Sequence, residues 1–312
     1  MYFPLLSIII LLDFSGEKDV RFKSETSSIF FFISLLCGLC AILLAGLSTF
    51  LAPWQEMAVE EDRGREMLIA ARILSSEGNF LIKDDQGNYV PAIFDLTNNT
   101  LEANADVQIA SSDEVLAIVQ NRLTPLLVDD QGNSFTFEEK EIDLTEYLKE
   151  NQKSGFASLP LKLIYQINSN SPSDQEAVAY IIPINGFGLW GPIYGYLAIQ
   201  KDGETVIGTT WYDQGETAGL GAEISSNEWQ EQFYNKNIFQ PTQEGTVDIE
   251  TAPIGIQVVK GQVSQVYGTG PRADNAVDGI SGATLTGNGV TNAYRTSLTP
   301  YRPFFIKLNE GN

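Results

Sequence analysis

From Ile29 to Ala52 the chain reads IFFFISLLCGLCAILLAGLSTFLA, without one charged side chain. At 1.5 Å rise per residue such a run makes a helix of roughly 36 Å, enough to cross a hydrocarbon core of about 30 Å with some tilt. A cleaved signal peptide is the rival reading, but its apolar core is usually only about 7–15 residues. The run therefore predicts a retained membrane anchor, and whatever else the chain folds into must hang from it. Lys18, Arg21 and Lys23 precede the run, whereas Glu56, Glu60, Glu61 and Asp62 dominate its far side before Arg63. The positive-inside rule then places the N-terminus in the cytoplasm and residues 53–312 outside it.

Cys37 and Cys40 have the spacing of a redox pair, but they lie inside the apolar run with no basic neighbour to stabilise a thiolate. With Gly38, Ala41, Ala45 and Gly46 they read as small residues for helix packing. Residues 1–12 (MYFPLLSIIILL) are apolar but too short to span; an interfacial segment and a misplaced translation start both fit them.

The remainder is strongly acidic. The formal net charge is −21, of which residues 1–52 contribute −1, leaving −20 for 53–312. Such a surface suits solubility and disfavours nucleic acid, whose phosphates need clustered Lys and Arg. The chain has no histidine, and its only two cysteines are in the apolar run. No side-chain set in 53–312 could then hold zinc, haem or an iron–sulfur cluster, so electron chemistry would need an organic cofactor.

Beyond Pro53, Met57, Met67, Leu68, Ala71 and Leu74 keep helical spacing as far as Glu77-Gly78, predicting a stalk helix. Residues 79–175 read as short strands with one helix at Ser112–Leu123. Asp-Asp-Gln-Gly-Asn occurs twice, at 84–88 and 129–133, each time between apolar runs. Calcium loops also use Asp and Gly, but the other ligands and the closing Glu are missing, so these are hairpin turns. Ala177–Ile184 reads as a buried strand; Tyr194–Ile199 and Thr205–Tyr212 flank a hairpin turn at 201–204. Glu228–Tyr234 suggests a short helix, Ile254–Val259 and Gln262–Tyr267 a second hairpin about Lys260-Gly261, and Thr286–Ser297 a closing helix.

Three segments carry candidate chemistry. In Asp278-Gly-Ile-Ser-Gly-Ala-Thr-Leu-Thr286, Gly282 and Ala283 let backbone approach a phosphate, with the next helix's free N–H groups aimed there. Ser281, Thr284 and Thr286 add hydroxyls. Taken alone, S-G-A-T is an ordinary loop with a Ser/Thr helix cap. In Tyr212-Asp-Gln-Gly-Glu-Thr-Ala-Gly-Leu-Gly221, Glu216 and Thr217 offer polar groups, and Gly215, Gly219 and Gly221 clear space. Gly186-Phe-Gly-Leu-Trp-Gly191 adds an aromatic ring suited to a planar cofactor.

The order GLW…YGYLAI…YDQGETAGLG…VDGISGATLT, behind a single anchor, resembles the C subunits of the bacterial sodium-translocating NADH:quinone reductases. The likeness covers roughly residues 28–312 and is strongest over 186–298. It implies FMN held by a phosphoester on the last threonine of S-G-A-T, here Thr284, installed by a flavin transferase that uses FAD. Asp278 would be the acid the transferase recognises. Ser281, Gly282, Ala283, Leu285 and Thr286 would surround the attachment, and Leu189, Trp190, Glu216, Thr217 and Leu220 the isoalloxazine ring. The resemblance further implies a one-electron relay, with no catalytic residue and no metal on this chain. Its partners would be the other subunits of an inner-membrane complex that oxidises NADH, reduces ubiquinone and pumps Na+, with the FMN domain periplasmic. Ala218 and Gly287 stand where the family often has Pro and Ser.

An α+β fold follows: one transmembrane helix, then a mixed or antiparallel sheet with flanking helices. The expected divisions are a cytoplasmic segment (1–27), the anchor (28–52), a stalk (53–78), a β-rich insertion (79–175) and an FMN-binding core (176–312). The FMN-bearing subunit of Rnf-type ferredoxin:NAD reductases is the nearest alternative. Y-D-Q-G-E-T and the long 79–175 segment favour the quinone reductase. A non-redox anchored binding domain, its loops serving only as turns, is a third reading.

Overall fold

The computed structural model describes residues 25–84, 86–171 and 176–311. Residues 1–12 and the basic residues at 18, 21 and 23 lie outside them. The chain divides into two compact units, up to Met57 and from Ala58. Helix α1, Glu25–Ala70, contains the apolar stretch Ile29–Ala52, none of which is buried against protein. It is the one helix among the described residues long and apolar enough to cross a membrane. Helical spacing beyond Ala70 misled the stalk prediction. The helix ends there rather than at Gly78, because Arg72 turns to φ 54° and the following backbone pairs with the first strand.

In the second unit, β1 (Phe80–Lys83), β2 (Tyr89–Asp95) and β3 (Thr100–Ala103) form an antiparallel meander. Helix α2 (Ser112–Arg122) follows, started by a capping box between Ser111 and Glu114. A six-stranded antiparallel sheet is then laid down in the order β5-β4-β6-β7-β8-β9. Its strands are β4 (Leu123–Val128), β5 (Ser134–Phe135), β6 (Lys162–Asn168), β7 (Ala177–Phe187), β8 (Pro192–Gln200) and β9 (Val206–Asp213). β6 and β7, which lie on either side of the expected division between insertion and core, pair as neighbours in this one sheet. Between β5 and β6 lies helix α3 (Leu144–Asn151), capped by Asp143, an element the strand-and-turn reading of 79–175 omits.

Both D-D-Q-G-N copies are the hairpin turns expected. Asp84 Oδ1 accepts from the amides of Gln86 and Asn88, and Asp129 Oδ1 from those of Gln131 and Asn133. Along β7 and β8 successive side chains alternate between two cores, while Leu127 of β4 and Leu163 of β6 join a third, smaller cluster with Phe137 and Phe156. Ile182, Ile184, Leu197 and Ile199 face one side, Ile181, Tyr196 and Ala198 the other. The second side is covered by Met67, Leu68 and Ala70, by α2 and by the meander.

Over the first side lie α4 (Asn227–Gln230), β10 (Gln257–Val258), β11 (Ala276–Val277), α6 (Thr284–Leu298) and α7 (Arg302–Glu310), with the short α5 (Val263–Val266) between β10 and β11 in the chain and outside that core. The hairpin expected about Lys260-Gly261 is absent. β10 pairs in parallel with the distant β11, and Val263–Val266 coils into α5. α6 is fixed to β7 by the Ser297 hydroxyl, which bonds both the amide and the carbonyl of Asn185 at 3.1 Å. Gly186 and Gly289 allow this approach. A Cβ would stand 2.5 Å from the Ala293 methyl at the first and 2.2 Å from the Phe187 carbonyl at the second. Below them Tyr294 and Thr209 share a buried hydroxyl–hydroxyl bond of 2.8 Å.

Candidate cofactor site

The segment after β11 is held on three sides. The Asp278 amide donates to Gln232 Oε1 at 2.9 Å, its carbonyl accepts from the Trp229 indole at 2.8 Å, and Oδ1 accepts from the Val263 amide at 2.6 Å. Gly279 donates to the Gly261 carbonyl, and a Cβ there would sit 2.1 Å from the Val259 oxygen. Gly282 then takes φ +76° with Leu220 packed over it, which turns the chain into α6. Thr284 is the first residue of this 15-residue helix and is exposed. Its N-cap is Ala283, which has no side chain able to bond the first-turn amides. Those amides and the positive end of the helix dipole favour an anion beside the Thr284 hydroxyl.

Thr286, only 1 % exposed, points the other way. Its hydroxyl donates to Glu216 Oε2 at 2.5 Å, and Glu216 Oε1 accepts from the Trp190 amide at 2.9 Å. One carboxylate thus joins the 188–191 turn, the 213–221 loop and the start of α6. Burial works to raise the Glu216 pKa. The Thr286 hydroxyl and the amides of Trp190 and Leu189 outweigh it, holding the group below its ordinary value. The Trp190 indole donates to Thr217 Oγ1 at 3.1 Å. Gly188 and Gly221 make room: a Cβ would fall 2.5 Å from Glu216 Oε1 at the first, and 2.6 Å from Thr286 Oγ1 at the second.

Glu216 and Thr217 therefore spend their polar atoms on the protein, fixing loops rather than presenting free groups. Gly219 supplies a turn at φ +74°, and Gly215 meets nothing within 4 Å. About this junction stand apolar side chains that soluble proteins ordinarily cover: Phe187 (74 % exposed), Trp190 (69 %) and Leu285 (61 %), with Leu189 and Leu220 about half exposed. Phe187 was not among the sequence-predicted site residues; its place between the glycines of G-F-G-L-W-G was the available signal. Ser281 and Gly282 are exposed and Ala283 is buried. On the other flank of Thr284, a small open pocket is lined by Val258–Gly261, Gly279, Ile280, Ala283, Gly287 and Asn288, with Thr284 at its edge.

A hydroxyl at an uncapped helix start, beside a rigidly tied apolar platform, fits a ligand with an anionic end and a flat ring. A sequence model of the FMN-binding domain family matches residues 188–299, which contain every part of the junction except Phe187. The C subunit of the Na(+)-translocating NADH-quinone reductase of Chlamydia caviae is 42 % identical, over 95 % of this chain and 98 % of that protein. Its counterpart in Chlamydia pneumoniae is 43 % identical over 95 % and 96 %.

The chain belongs to the family of C subunits of the Na(+)-translocating NADH-quinone reductases. Solved structures agree on the fold. The C subunit of the Parabacteroides distasonis enzyme superposes with a TM-score of 0.52 at 24 % identity, covering 82 % of this chain and 96 % of that one. NqrC of Shewanella oneidensis gives 0.52 at 21 %, covering 81 % and 99 %. The α+β architecture expected from the sequence is thus the NqrC fold, with one apolar N-terminal helix consistent with a single span.

Proposed function

We propose that this protein holds FMN covalently on Thr284 and serves as a one-electron relay within a Na+-translocating, NADH-oxidising, quinone-reducing membrane complex. The observation that carries the reading is Thr284 itself: an exposed hydroxyl at an uncapped helix start, flanked by a flat apolar surface that Glu216 locks in place. In maturation by a flavin transferase, Thr284 Oγ gives up its proton and takes the FMN phosphoryl from FAD, with AMP as the leaving group. When bound, FMN supplies the one-electron chemistry. The first-turn amides of α6, left without a side-chain cap, would hold the phosphoryl group. Trp190, Leu189, Leu220 and Leu285 would offer apolar contact to the ring, and no side chain is required to move a proton. The charge asymmetry about residues 29–52 supports an N-terminus in the cytoplasm and a periplasmic second unit, so that a covalent tether would prevent loss of the cofactor.

Co-expression of the full chain with a flavin transferase tests the reading. A fluorescent band that survives denaturation is expected, and Thr284→Ala should lose it while keeping its circular dichroism spectrum. Retention of flavin by Thr284→Ala would overturn the assignment.

A further inference from the structure

We infer that Lys260 and Asn288 form a phosphate seat for the group esterified to Thr284, Lys260 supplying its countercharge and Asn288 an amide donor. This rests on the reading of Thr284 given above. The pocket beside Thr284 is lined by both residues. Asn288 is four positions along α6, hence on the same helix face as Thr284, and it is exposed.

Lys260 belongs to a different segment but is firmly placed. The Val258 amide donates to Thr291 Oγ1 at 2.9 Å, the Val259 amide to the Val277 carbonyl at 3.0 Å, and the Gly261 carbonyl accepts from Gly279 at 2.8 Å. Gly261 at φ +94° closes this strap. The main chain bearing Lys260 is thereby held to α6 and to the segment that leads into it. No carboxylate among the described residues pairs with this ammonium.

The electrostatics give the seat a purpose. A phosphodiester is an anion, and it would be attached to a portion of the chain carrying −20. One cation in the same pocket, with no ion-pair partner among the described residues, offsets that repulsion locally, and the uncapped amides of α6 add to it. The parallel pairing of β10 with β11 creates this juxtaposition, since it brings residues 258–261 beside 277–279. In the hairpin expected from sequence, Lys260 would be a turn residue with nothing to tie it to Thr284.

The test uses the full chain in detergent, expressed with and without a flavin transferase. Wild type, Lys260→Glu, Lys260→Arg and Asn288→Ala are compared, with Lys83→Glu as a control of equal charge change on the first hairpin. Intact mass reports loading; thermal unfolding and the ³¹P resonance of the loaded protein report the seat. Lys260→Glu should lower the loaded protein's Tm gain over the unloaded one by about 2–4 °C at low salt. That difference should vanish near 1 M salt, where the Debye length is about 3 Å. Lys260→Glu should also shift the ³¹P line, Lys260→Arg should restore the wild-type gain, Asn288→Ala should lose part of it, and Lys83→Glu should leave it unchanged. A loaded wild type whose Tm gain and ³¹P line match those of Lys260→Glu overturns the seat and leaves Thr284 standing. A wild type that acquires no flavin mass overturns the reading of Thr284 and the seat with it.

Discussion

Replacing Glu216 should separate the mechanical role of this carboxylate from any direct contact with cofactor. In Glu216→Ala the Thr286 hydroxyl, almost fully buried, loses the acceptor it reaches at 2.5 Å, and the Trp190 amide loses one at 2.9 Å. A charge-assisted bond contributes about 1.5–3 kcal/mol, and a buried donor left unpaired costs about 1–3 kcal/mol. Water can reach the exposed Trp190 amide, so the Thr286 bond dominates and the loss at neutral pH should be about 2–3 kcal/mol. Glu216→Gln keeps the shape: its oxygen can accept from Trp190 and its amide can donate to the Thr286 oxygen, whose own proton must then turn to another acceptor such as a backbone carbonyl of the preceding turn. It should cost only about 1 kcal/mol, the charge assistance. The carboxyl titrates below its ordinary value of 4.5 in the folded protein. Its stabilising contribution is therefore complete above that value and is lost as pH falls through the lower, folded one. The gap between wild type and Glu216→Gln should accordingly narrow in acid. Urea unfolding of the unloaded chain, followed by circular dichroism at neutral and acidic pH, measures both effects. A Glu216→Ala protein within about 0.5 kcal/mol of wild type, or a gap that widens in acid, would refute the account of Glu216 as the tie between three segments.

Two further outcomes are expected. Asp278→Asn retains an oxygen for the Val263 amide, which Asp278 Oδ1 accepts at 2.6 Å, so the fold should survive within about 1 kcal/mol. Loss of flavin loading in that folded variant, read by intact mass, would mark the charge of Asp278 as what the transferase recognises; undiminished loading would confine Asp278 to its structural bond. Gly132→Ala places a methyl on a residue at φ +77° and 2.4 Å from the Pro303 carbonyl carbon. It should destabilise the unloaded protein by more than about 2 kcal/mol in urea titration, and a change below about 0.5 kcal/mol would contradict the close approach of that turn to α7.

What could be read from the sequence follows the range of the interactions involved. The two D-D-Q-G-N turns were legible because an Asp bonding amides two and four residues on, followed by Gly at positive φ, is settled within the turn itself. The same holds for α2, whose capping box lies within four residues, and for β8 and β9, joined by a short loop. Residues 254–267 were not legible. Their alternation suits a hairpin, but β10 finds its partner at Ala276–Val277, and the acceptor that starts α5 is Asp278. Pairings set by residues far along the chain leave no local pattern. The site shows the same division. Thr284 and Trp190 stood out through their small neighbours, whereas Glu216 reads as a ligand group until its two oxygens are seen to be engaged by Trp190 and Thr286. Lys260 and Asn288 share a pocket only through β10–β11 pairing and one turn of helix.

The central claim concerns the Thr284 hydroxyl, and peptide mass mapping of the full chain purified after co-expression with a flavin transferase addresses it most directly. The peptide that spans Asp278–Arg295 should carry the mass of one FMN residue, with fragment ions placing it on Thr284. That peptide at its bare mass, or the same added mass on Ser281 or Thr286, would contradict the account.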